Sequence, residues 1–212
     1  MSFLSFIMLK ALMETDLGWT RSDERTSRME STLAARQPGL VLVLENIHDP
    51  HNIGAILRSC DAVGIMRVMM VYYIESVPEI GKTSASGASK WLNFERFRSV
   101  NSCYEELRRE GFQILATKID RNAKELYAYD LTKPTAIVMG NEHRGISAEA
   151  AEGADGLIYI PMRGMVESVN VSVASAVCLF EAMRQREAAG MYDAPQLSPE
   201  VRRSEMESWI KK

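Results

Sequence analysis

A chain of 212 residues with 46% apolar content has enough material to bury one substantial core. Its formal charge of −3 excludes the broadly basic surface typical of nucleic-acid binders, so any RNA contact must come from a local cationic patch within an acidic whole. Three dispersed cysteines (Cys60, Cys103, Cys178) without a CxxC pair exclude a disulfide framework and a zinc site, and fit reduced thiols in a cytoplasmic protein.

In chain order, Met1 to Met13 is apolar but lacks a basic leader and a cleavage site, and is too short to span a bilayer. Residues 1–20 therefore read as an N-terminal extension, disordered or a start-site artefact, with no signal peptide and no membrane anchor. Residues 21–38 form the next unit, an exposed helix over 22–36 stopped before Pro38. It carries Arg21, Arg25, Arg28 and Arg36 among acids, with Met29 and Leu33 at i, i+4.

The main domain covers 39–190. Leu40–Leu44 is a continuous apolar run, as a buried parallel strand requires. A helix over about 53–63 follows, with Asn52 as its N-cap, then a strand at Arg67–Tyr72. Residues 83–90 are small and polar, a short helix or a loop. A helix at 100–110 and strands at Phe112–Thr117, Thr135–Gly140 and Gly156–Ile160 come next. The segment Ser168–Ala174 alternates polar and apolar at period two, which suggests a strand, yet it runs into a helical pattern that ends before Gly190. Residues 191–212 form a C-terminal tail with a helix after Ser198–Pro199. Strands alternating with helices predict an α/β fold with a mainly parallel sheet and helices on both faces.

Three segments concentrate polar groups and glycine where apolar strands end: Glu45–Arg58 (ENIHDPHNIGAILR), Gly140–Ser147 (GNEHRGIS) and Ile160–Val173 (IPMRGMVESVNVSV). The carboxyl edge of a parallel sheet builds ligand sites in this way. The HDPH core of the first could be taken for a metal site, but the chain has only His48, His51 and His143, and no further ligands present themselves. No metal is expected, and a solvated or RNA-facing loop fits better. Arg58 falls opposite the apolar face of Ile53, Ile56, Leu57 and Cys60; it is either an exposed arginine paired with Asp61 or a functional cation among small residues. Glycine at Gly140 would let a ligand approach the backbone. Glu142 is a turn residue or a carboxylate that binds substrate or orients Asn170. Ser168 and Asn170 are helix-capping residues, site residues, or both.

Taken together, the three segments resemble the motifs of the SpoU (TrmH) family of RNA ribose 2′-O-methyltransferases. The resemblance runs from about residue 25 to 193, and His48–Ile53 and Glu181–Tyr192 are most similar to the tRNA-modifying TrmH branch. It implies a SPOUT-type fold with a C-terminal trefoil knot and S-adenosylmethionine as methyl donor, held by Thr117, Gly140, Ile160 and Val169. No GxGxxG follows the first strand, consistent with such a pocket. It also implies an active site of Asn52, Arg58, Glu142, Ser168 and Asn170, a homodimer sharing that site, and methylation of a guanosine in the tRNA D-loop. The Arg is assigned as general base in the family. A guanidinium barely deprotonates, so fixing the substrate phosphate and stabilising the developing alkoxide is the safer role. His51, Arg28, Arg184 and Arg186 are candidate RNA contacts. The alternatives are the same reaction on ribosomal RNA, a non-catalytic RNA-binding paralogue, and a metal hydrolase built on the HDPH loop.

Overall fold

The computed structural model describes residues 21–77 and 87–212. The expected N-terminal extension at 1–20 and most of the small polar segment at 83–90 lie outside the described residues. In chain order the elements are α1 (Arg21–Ala34), β1 (Leu40–Glu45), α2 (Pro50–Ala62), β2 (Arg67–Val71), a 3-10 turn (Ala88–Trp91), β3 (Asn93–Phe97), α3 (Val100–Arg109) and β4 (Gln113–Thr117). They continue with β5 (Lys124–Glu125), a second 3-10 turn (Leu126–Ala128), β6 (Thr135–Met139), α4 (Ala148–Gly153), β7 (Gly156–Tyr159), α5 (Val171–Ala188) and α6 (Pro199–Ile210).

All strand pairs are parallel and form one sheet in the order β3-β2-β1-β6-β4-β7-β5. Every residue of β1 is buried, because the strand is covered on both faces. Leu40, Leu42 and Leu44 pack with Ile53, Ile56 and Leu57 of α2 and with Cys178 and Leu179 of α5. Val41 and Val43 point the other way, into a cluster with Val100, Tyr104 and Leu107 of α3 and Ala150 of α4. The α/β reading from the sequence is thus the observed architecture.

The charged pattern of Asn93–Phe97 gave no strand signal. It pairs along β2 in register from Arg67↔Asn93 to Val71↔Phe97, and the Arg67 guanidinium meets Glu95 at 2.5 Å and also pairs with Glu110. These ion pairs make a sheet edge out of residues that look like a solvated loop.

Two arginines expected at the surface are in the interior. Arg36 is 0% exposed. It donates to Ile65 O at 2.6 Å, Asp61 Oδ1 at 2.6 Å and Trp91 O at 3.1 Å, and stacks 5.2 Å over the Trp209 ring. It thereby ties the chain after α1 to α6, where Met29, Leu33 and Trp209 form a small separate core. Asp61 consequently belongs to Arg36 and leaves Arg58 alone. Arg186, expected as an RNA contact, is 1% exposed. It donates to the carbonyls of Leu131 (3.0 Å), Gly39 (2.7 Å) and Lys133 (2.9 Å) and to Gln37 Oε1 at 3.4 Å. A helix-wheel reading cannot see this, because the oxygens it serves come from chain segments about 50 and 150 residues away. No described helix is long and apolar enough to cross a membrane.

Candidate active site

β1 ends at Asn46, which turns the chain with φ +50°. Asparagine tolerates that left-handed conformation better than most residues. Its side-chain oxygen accepts from the backbone N–H groups of Tyr73, Ile74 and Glu75 at 3.1, 3.1 and 3.3 Å. Its carbonyl accepts from Asn141 Nδ2 at 2.8 Å. Asn141 in turn accepts from the N–H groups of His143 (3.0 Å) and Arg144 (3.2 Å), closing the turn after β6. The loops after β1, β2 and β6 are therefore held together by two asparagine side chains. Neither was singled out from the sequence, although Asx residues just past apolar strands are a turn signal.

The helix α2 begins earlier than expected. Asp49 is its N-cap, accepting from His51 N at 2.8 Å, and Pro50 opens the first turn. This corrects the assignment of Asn52 as the cap and frees its side chain. Asn52 Nδ2 donates to Glu142 Oε1 at 3.0 Å, while Asn52 Oδ1 accepts from Asn170 Nδ2 at 3.1 Å. Glu142 also accepts from the backbone N–H groups of His48 (3.0 Å) and Asp49 (3.1 Å). Burial works to raise the pKa of this carboxyl, but the His48 amide and the Asn52 side chain outweigh it and hold the group below the ordinary carboxylate value. Glu142 is an ionised clamp on the first motif and fixes which way the Asn52 amide points.

Asn170 caps α5, accepting from Ser172 N at 2.8 Å and Ser172 Oγ at 2.6 Å. Of the two residues expected to cap this helix only Asn170 does so, and Ser168 lies two residues before the cap, exposed. Ser168–Asn170 is neither strand nor helix, and the helix starts at Val171, so the period-two pattern was misleading up to that point. One chain of hydrogen bonds, Glu142–Asn52–Asn170, thus joins all three motifs.

Beside this chain, at the carboxyl ends of β4, β6 and β7, lies a cavity of about 380 Å³. Thr117, Gly140, Ile160 and Val169 all line it, as do Glu142 and Ser168. Its floor is apolar (Met139, Ile158, Cys178) and its rim includes His143, Arg144 and Glu167. The size and the apolar-floor, polar-rim lining fit a nucleoside-sized ligand. Burial pushes the Cys178 thiol up to about 12, so it serves as an inert packing surface there.

Gly140 does not serve close ligand approach in the way its position suggested. A Cβ placed on it would sit 2.2 Å from Gly145 C and from Ile146 N, so the chain's own turn fills that space. Gly140→Ala is expected to displace the Asn141–Gly145 turn and reshape the cavity wall, with a loss of about 1–3 kcal/mol of stability by the usual cost of overpacking. Thermal unfolding and calorimetric titration with S-adenosylmethionine check both effects.

Arg58 lies on the exposed face of α2 and makes no ion pair among the described residues. It does not line the cavity. Of the candidate RNA contacts, His51 and Arg28 are exposed, and Arg184 is exposed but pairs with Glu181 at 2.8 Å.

Comparison with known proteins agrees with this arrangement. The family model described as "SpoU rRNA Methylase family" matches residues 39–180, which contain Asn52, Arg58, Glu142, Asn170 and the cavity lining but not Arg28 or Arg184. A tRNA (guanosine(18)-2′-O)-methyltransferase of Thermus thermophilus is 45% identical over 192 residues, covering 91% of this chain and 98% of the relative. The crystal structure of the A. aeolicus TrmH/SpoU tRNA modifying enzyme superposes with a TM-score of 0.84 at 38% identity, covering 89% of this chain and 95% of that one. An AdoMet-bound rRNA methyltransferase from Sinorhizobium meliloti gives 0.64 at 28% identity, covering 73% of this chain and 59% of that one. With its three motifs joined around one cavity and the family model spanning the domain that carries them, the chain belongs to the SpoU methylase family.

Proposed function

We propose that the protein transfers the methyl group of S-adenosylmethionine to the ribose 2′-oxygen of a guanosine in the tRNA D-loop, at tRNA position 18, in the cytoplasm. The observation that carries this reading is the near end-to-end match to a relative with that activity, across a chain whose Glu142–Asn52–Asn170 chain of hydrogen bonds abuts the cavity. A ribosomal RNA substrate is the weaker reading, because the S. meliloti rRNA enzyme is matched over only 59% of its length.

The methyl donor sits in the cavity, against Thr117, Gly140, Ile160 and Val169. Bound there, it supplies an electrophilic methyl on a sulfonium, already a good leaving group, so that positioning does much of the work. Asn52 and Asn170, locked by Glu142 and by the α5 N-terminus, orient the nucleotide for in-line attack. Arg58 holds a substrate phosphate, which takes up the proton of the 2′-hydroxyl, and stabilises the alkoxide as it develops.

Arg58 does not line the cavity of its own chain, which supports the reading that it serves the cavity of a second copy in a homodimer. The exposed apolar side chains of Val173 and Phe180 on α5, the helix that packs on α2, support that interface. The same architecture supports a knotted C-terminus. The chain passes from β4 out to β5 and back to β6, and β7 then enters between β4 and β5. From there α5 returns to pack on α2.

The test is nucleoside mass spectrometry on an unmodified tRNA transcript incubated with the protein and S-adenosylmethionine. The expected product is 2′-O-methylguanosine at a single D-loop site. Methylation of ribosomal RNA fragments in place of tRNA would reassign the substrate, and binding without methylation would make the protein a non-catalytic RNA binder.

A further inference from the structure

Three side chains from three loops meet, and one of them, Arg144, lines the cavity. Glu75, after β2, has its carboxylate 2.6 Å from the guanidinium of Arg144 in the second motif and 3.3 Å from Nδ1 of His48 in the first. Both partners are open to solvent, with the Arg144 side chain 51% and the His48 side chain 72% exposed, whereas the carboxylate between them is 22% exposed. The backbones that carry the ion pair are fixed independently of it. Asn46 accepts from Glu75 N–H at 3.3 Å, and Asn141, bonded to the Asn46 carbonyl, accepts from Arg144 N–H at 3.2 Å.

We infer that Arg144 and His48 form a subsite for a backbone phosphate of the substrate RNA, which Glu75 fills while the protein is free. The inference rests on the RNA-methylation reading above. A solvent-facing ion pair adds little to stability, and the Asn46 and Asn141 bonds already hold these loops, so a purely structural staple would be redundant. The geometry suits anion exchange: a phosphate offers the same acceptor oxygens as a carboxylate to a planar guanidinium. The subsite adjoins the residues that orient the nucleotide, since Glu142 accepts from the backbone of His48. In a chain of net charge −3, masking the Arg144 cation in the free state also limits adventitious anion binding. Only an RNA that places a phosphate there displaces Glu75, and its affinity is lowered by the strength of that pair.

A double-mutant cycle tests the inference: wild type, Glu75→Gln, Arg144→Gln and the double variant, each titrated with unmodified tRNA transcript at fixed and then varied salt. Glu75→Gln is expected to tighten tRNA binding about two- to fivefold, the upper part of the range of a released exposed ion pair, with an unchanged melting temperature. Arg144→Gln is expected to weaken binding and to reduce the salt slope by about one. In the Arg144→Gln background, Glu75→Gln is expected to change affinity less than about twofold, because the masked cation is gone. Equal tightening in both backgrounds would overturn the subsite, since removing any nearby negative charge would do that. Weaker binding by Glu75→Gln would overturn it too, as would a change confined to affinity for S-adenosylmethionine. Methyl transfer to tRNA by wild type is measured alongside. Its absence removes the RNA reading and the subsite together, whereas intact transfer with an additive cycle removes the subsite alone.

Discussion

Arg58→Ala is expected to lower methyl transfer to tRNA by about 10²–10³-fold, the usual cost of deleting one group that stabilises developing negative charge. Binding of S-adenosylmethionine should be little affected, because the residues set against the donor, Thr117, Gly140, Ile160 and Val169, are unchanged. Stability should change by no more than about 0.5 kcal/mol, since the side chain is exposed and its helical neighbour Asp61 pairs with Arg36. Arg58→Lys should recover little, because a point ammonium does not reproduce a planar fork on phosphate. Steady-state rates, calorimetry and melting curves on the same preparations separate these effects.

Mixing inactive chains distinguishes the shared site from a self-contained one. Arg58→Ala supplies an intact cavity and Asn170→Ala an intact arginine, so a heterodimer carries one complete site. Equal mixing after co-refolding is expected to restore about a quarter of wild-type activity, since half of the dimers are mixed and one of their two sites is whole. No recovery would place the arginine and the cavity it serves in one chain.

Arg186→Met is expected to have the largest effect on stability, about 3–5 kcal/mol, as when a buried charged group is removed from its hydrogen-bond partners. Three carbonyls (Leu131, Gly39, Lys133) lose their donor together, at a side chain only 1% exposed. Burial pulls the guanidinium pKa below its ordinary value, yet an arginine stays charged in a protein. This charge is accommodated by aimed carbonyl dipoles with no carboxylate bonded to it, so a neutral side chain of similar length cannot take its place. Urea denaturation checks the loss. Arg184→Ala, two residues earlier and exposed, is expected to shift the midpoint little. If Arg186→Met instead left stability intact while weakening tRNA binding, the sequence-based assignment of Arg186 to RNA would be restored.

The α/β class, most element positions and the segments that gather around the cavity were legible in the sequence alone. Apolar runs such as Leu40–Leu44 can only be strands covered on both faces, and polar, glycine-bearing segments after such strands mark the sheet's carboxyl edge. Thr117, Gly140, Ile160 and Val169 do line one cavity. What periodicity could not supply was the partner of each polar group. Asp49 outcompeted Asn52 for the N-terminus of α2, so Asn52 turned to Glu142 and Asn170, residues 90 and 118 positions away. Arg36 and Arg186 read as surface charges because their carbonyl and aromatic partners are distant in sequence. Gly140 is glycine because the turn at Gly145 folds back on it. Local pattern decides whether a residue faces core or water when its neighbours along the chain are the competitors. Only tertiary structure decides it when the competitor is a hydrogen-bonding group brought in from another element, since a buried polar atom goes to whichever partner the fold supplies.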